Sequence, residues 1–173
     1  MFSHFTLDVT DGKFSYANDF SFNKYNKQLK LDSTHFNWVL MIDGQLMPIE
    51  LLHHSSFSEE EQVVCSGLFF DFYENSDFFI DVFLSSNQIK EISGGLIYNE
   101  MEECLLKQKK KKFLMELKHW LLNSSFSNLS EIQKVKKEDL LDSFIVKSFE
   151  WGTVQLNLNP EKDYLFSFSI VYN

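Results

Sequence analysis

His53 and His54 stand side by side, and paired imidazoles raise the question of a metal ion. On an extended chain neighbouring side chains point to opposite sides, so two adjacent histidines do not close on one ion. No HExxH and no CxxC accompanies them. Cys65 and Cys104 are far apart in sequence, which fits reduced thiols better than a disulfide. A thiol nucleophile needs an imidazole held against it, and only folding could bring His35 or His119 there. Glycine-rich phosphate loops and the GxSxG elbow are absent. The sequence therefore assigns no catalytic residue, no metal ligand and no cofactor, and the expectation is a protein that is not an enzyme.

What remains is a set of carboxylates set among aromatic rings. The stretch "SGLFFDFYENSDFFIDVFLSS", residues 66–86, interrupts its phenylalanines with Asp71, Glu74, Asp77 and Asp81. It reads as two strands around "ENS", and the loop length decides which residues share a face. A two-residue Asn75-Ser76 loop puts Asp71 and Asp81 on opposite faces, so one of them is buried at a cost of several kcal/mol. A three-residue loop, Glu74-Asn75-Ser76, pairs Tyr73 with Asp77, Phe72 with Phe78 and Phe70 with Ile80. That register gathers Phe70, Phe72, Phe78, Ile80 and Val82 on a core face. It leaves Phe69, Asp71, Tyr73, Asp77, Phe79 and Asp81 on the other. The predicted partner-binding residues are Asp71, Tyr73, Asp77, Phe79 and Asp81, carboxylates beside aromatic anchors of the kind that dominate interfaces.

These residues need a frame. "FTLDV" reads as a strand, and "KFSYANDFSFN" as Phe14 and Tyr16, a turn around Asn18, then Phe20 and Phe22. Asp43-Gly44 in "HFNWVLMIDGQLMPIELL" suits a type I′ hairpin turn. It pairs Ile42 with Gln45, Leu40 with Met47 and Trp38 with Ile49, while Pro48 marks an edge or an end. "HHSSFSEEEQ" is a polar connection, and Gly94-Gly95 in "EISGGLIYN" suggests a bend or bulge. Residues 100–122 read as a helix capped by Asn99, with an apolar stripe broken by "KQKKKK". Lys109 falls on the stripe and must snorkel unless the helix projects past the sheet. Ser130 with Gln133 can begin a short second helix. "TVQLNLN" and "YLFSFSIVYN" alternate as a half-buried antiparallel hairpin. The expected fold is α+β in one domain, 1–173: mainly antiparallel sheet, one long helix (about 100–122) and a C-terminal β-hairpin.

Charge narrows the partners. The chain has 173 residues, 19 of them Phe, no Arg and a net charge of −9. Residues 1–42 are neutral; residues 43–106 hold 13 carboxylates and one lysine, Lys90; residues 107–173 carry a net +3. Such a middle segment repels nucleic acid and anionic membrane, and it attracts basic proteins. No run approaches the roughly 18 apolar residues of a membrane span, and "MFSHFTLDVTDG" lacks the marks of a signal peptide. The expectation is a cytoplasmic protein.

A small, acidic, Phe-rich chain with the "WVLMIDGQLMPIELL" hairpin resembles the bacterial immunity proteins of polymorphic and contact-dependent growth inhibition toxin systems. The resemblance is one of size, charge and hairpin and carries over no functional residue. It implies a cytoplasmic protein that neutralises one cognate toxin, often a basic nuclease, by occluding it. An acidic secretion chaperone and a β-rich small-molecule carrier are the alternatives.

Overall fold

Phenylalanine at alternate positions sets up the first layer. The computed structural model describes residues 4–54, 56–98, 107–113, 115–116, 144–157 and 164–173. Four three-residue strands, β1 (Phe5–Leu7), β2 (Phe14–Tyr16), β3 (Phe20–Phe22) and β4 (Lys27–Leu29), form an antiparallel sheet in chain order. The turn around Asn18 falls as the alternation predicts, with Ala17 taking a positive φ. Phe5, Leu7, Phe14, Tyr16, Phe20, Phe22 and Leu29 all point inward and are buried.

The second layer has eight strands. They are β5 (Asn37–Ile42), β6 (Gln45–Met47), β7 (Val63–Tyr73), β8 (Ser76–Ser85), β9 (Gln88–Tyr98), β10 (Phe144–Phe149), β11 (Gly152–Asn157) and β12 (Tyr164–Tyr172). Their spatial order is β10-β11-β12-β9-β8-β7-β5-β6, every pair antiparallel. The inner face reads straight across the ladder: Leu40, Cys65, Val82, Ile92, Ile170 and Val154 are neighbours in one row, and all are buried. Ring contacts join the layers, with Phe5 4.8 Å from Phe78 and Phe14 5.3 Å from Phe168. Tyr172 donates from its hydroxyl to the Gly12 carbonyl at 2.7 Å, and the Trp151 indole donates to the Val9 carbonyl at 2.9 Å.

The described chain is thus mostly antiparallel sheet with few helices, the coarse outline of the expected fold. Several details differ. Asp43 and Gly44 both take positive φ, and Ile42 pairs with Gln45 and Leu40 with Met47 as the DG turn requires. Trp38 does not pair with Ile49, because β6 stops at Met47, before Pro48. The histidines lie in a short helix, α1 (Leu51–His54), at the start of the polar connection, where the His53 ring nitrogen accepts the Leu29 N–H at 3.3 Å. Gly94 and Gly95 make no bulge. They stay in register, and glycine is required there because a Cβ on Gly94 would lie 2.4 Å from the Phe79 carbonyl oxygen, and one on Gly95 2.2 Å from that of Phe166. Of the expected long helix, residues 107–113 and 115–116 are helical and are called α2; the rest of 100–122, the Asn99 cap and the Ser130 helix lie outside the described residues. Val154, Leu156, Phe166, Phe168 and Ile170 are inward, as their alternation predicts.

Candidate partner-binding face

The β7–β8 hairpin turns through two residues, Glu74-Asn75, and not through the expected three, Glu74-Asn75-Ser76. Glu74 and Asn75 both take positive φ, and Tyr73 pairs with Ser76. The ladder then breaks. Beyond the break Phe69 pairs with Phe78, so Phe70, Asp71 and Phe72 stand opposite Asp77 alone. Asp71 sits at the apex of this bulge with φ +51°, a conformation that aspartate tolerates better than most residues. The Asp77 carboxylate accepts the Asp71 backbone N–H at 2.9 Å, which satisfies a donor that the ladder has lost.

The bulge re-sorts the predicted faces. Phe72, Phe78, Ile80 and Val82 are buried, as the core face requires, but Phe70 is turned out and 56% exposed. Of the predicted binding residues, Asp71 is exposed, while Phe79 and Asp81 are half-buried on the outer face of β8. Asp81 accepts a hydrogen bond from the Ser66 hydroxyl, its cross-strand neighbour, at 2.5 Å. Asp77 is only 9% exposed and Tyr73 only 5%. Tyr73 packs edge-on against Phe113 of α2, 5.5 Å between ring centres. Burial, then the Glu116 and Glu74 carboxylates, push its phenol up. The five residues therefore form no common exposed face: two serve the interior of the hairpin tip, and one is tied to Ser66.

The tip is also less acidic than its sequence. The Lys112 ammonium pairs with the Glu74 carboxylate, which holds Glu74 below the usual carboxylate range and raises Lys112. Lys109 snorkels as expected: it lies over the Tyr98 ring, 5.1 Å from its centre, and donates to the Glu74 carbonyl at 3.4 Å. The lysine run thus meets Glu74 at the hairpin tip.

The opposite end is more acidic in sequence, with Lys27 of β4 over the Phe57 ring, 5.4 Å from its centre. From residue 31 to residue 89 the chain has no lysine. Asp43 at the β5–β6 turn receives the Gln62 N–H on its carboxylate at 3.0 Å, which draws the Glu59-Glu60-Glu61 loop against the turn. Glu50 follows β6. Beside these carboxylates, on the outer face, the ladder aligns Leu46, Met41, Val64 and Phe83 across β6, β5, β7 and β8. Leu46 is 72% exposed, and Val39, one row along, 46%. Sequence reasoning passed over this region because each of its residues looks ordinary alone. The usable signal was the absence of lysine over 59 positions containing two amphipathic strands and a triple glutamate.

No family model matches the chain. Nor does any curated protein or solved structure. Among the described residues no group of three His, Cys, Asp or Glu side chains is arranged to hold a metal ion, and no helix is long and apolar enough to cross a membrane.

Proposed function

We propose that this chain is a binding protein that neutralises a basic protein partner, in the manner of an immunity protein that occludes a cognate bacterial toxin in the cytoplasm. The observation that carries this reading is the outer-face apolar row Leu46, Met41, Val64 and Phe83, half-buried at Met41 and Val64 and exposed at Leu46 and Phe83, beside Asp43, Glu59, Glu60 and Glu61 with no lysine between residues 31 and 89. Apolar contact area supplies affinity, and a carboxylate rim steers a cationic partner and rejects acidic ones. In this reading α2 is scaffold, and its Lys109 and Lys112 balance the hairpin tip.

The test is co-expression with the neighbouring upstream reading frame. That frame should be lethal alone and tolerated beside this chain. Changing Glu59, Glu60 and Glu61 together to Lys should weaken the complex about ten-fold or more, mostly through slower association, with little change in melting temperature. A harmless frame, or full protection by the triple variant, would count against the reading. A homodimer holding an unfolded segment would point to a secretion chaperone instead, and a co-purifying lipid to a carrier.

A further inference from the structure

We propose that β6 is the docking edge, and that its occupant is an extended lysine- or arginine-bearing segment of the basic partner, added as a further strand. This rests on the reading above and specifies its geometry. β6 ends the eight-stranded sheet, with β5 as its neighbour on one side. Gln45, Leu46 and Met47 are all exposed. Sheet edges are templates for another chain, and proteins blunt them with lysine, proline, bulges or a cover. The opposite edge, β10, carries Lys147. β6 is only three residues long and Pro48 closes it, but within that length it carries no lysine and no bulge interrupts its pairing.

Charge selects the occupant. If two copies paired antiparallel through β6 about Leu46, each Asp43 would approach the other copy's Ile49-Glu50. Like charges across an interface oppose such a dimer. A cationic strand meets the reverse situation: Asp43 lies at one end of β6, Glu50 at the other, and Glu59 to Glu61 stand beside Asp43. Its backbone would pair with the outward N–H and C=O of Leu46, and its outward apolar residue would extend the row that begins there.

The test uses the full chain, isotopically labelled, and three blocked heptapeptides: an alternating Lys-Val peptide, the same peptide N-methylated along one edge, and a Glu-Val peptide. The Lys-Val peptide should bind, slow amide exchange at Leu46, the residue whose N–H faces outward, and weaken about ten-fold between low and high salt. The other two should bind at least about ten-fold more weakly, because one lacks donors and the other has the wrong charge. Leu46→Lys should reduce Lys-Val binding to a similar extent without lowering the melting temperature. Salt-sensitive binding with unchanged exchange at β6 would overturn strand addition and leave the acidic-face reading intact. Equal binding of the N-methylated peptide, or no binding of the Lys-Val peptide, would also overturn it, with the broader reading then decided by co-expression. Concentration-dependent dimerisation that protects β6 would make a second copy the occupant and overturn it as well.

Discussion

Cys65 lies on the inner face beside Leu40 and Val82, where burial, then the Asp81 carboxylate, push its thiol up to about 12 from an ordinary value of 9.0. The folded chain therefore keeps a proton that the unfolded chain releases first. Stability tied to this group is complete below about pH 9 and declines as pH rises towards 12, by up to about 1.4 kcal/mol per pH unit. Cys65→Ala should flatten that part of the alkaline decline, measured by denaturant titrations at several pH values; the raised phenols of Tyr73 and Tyr172 should account for what persists. Asp77 makes a different case. Asp77→Ala removes the acceptor of the Asp71 N–H and should lower stability by about 1–3 kcal/mol. Asp77→Asn keeps an oxygen in place and should recover most of that. Equal losses in the two variants would mean that charge matters there, as the sequence suggested, and that the bulge does not need the bond.

At the scale of elements, Gly94→Ala tests close packing. Its Cβ would press on the Phe79 backbone and the Phe168 ring, so a loss of about 1–3 kcal/mol is expected in thermal or chemical melts. The tether between α2 and the hairpin tip is exposed, so Lys112→Gln should cost little at low salt and nothing measurable at high salt. These elements also show what could be read in advance. Alternation in "YLFSFSIVYN" gives its buried face directly, and Asp43-Gly44 gives its turn and register. The β7–β8 hairpin resists the same logic because alternation assumes an unbroken ladder. Its bulge is centred on an aspartate with positive φ, with no glycine to advertise it. Phe70 and Asp77 therefore exchange sides, a phenylalanine going to solvent and a carboxylate to the interior. The compensation of the tip by Lys109 and Lys112 was out of reach for a related reason: it joins residues about 35 positions apart.

At the scale of the molecule, three-residue strands cannot stand alone, and the small sheet owes its order to the rings it shares with the large one. Unfolding should be one cooperative transition. Fluorescence from Trp38 and Trp151, which touch both layers, should follow the same curve as far-ultraviolet circular dichroism. Two separated transitions would show that the layers are independent. The strand order has a further consequence during synthesis. β12, which follows β9 only after β10 and β11, pairs with both β9 and β11. Until the ribosome has made β12, β9 presents an open edge eleven residues long, beside inner faces rich in phenylalanine. A nascent chain stalled there is a template for aggregation, so cells must finish or protect it quickly.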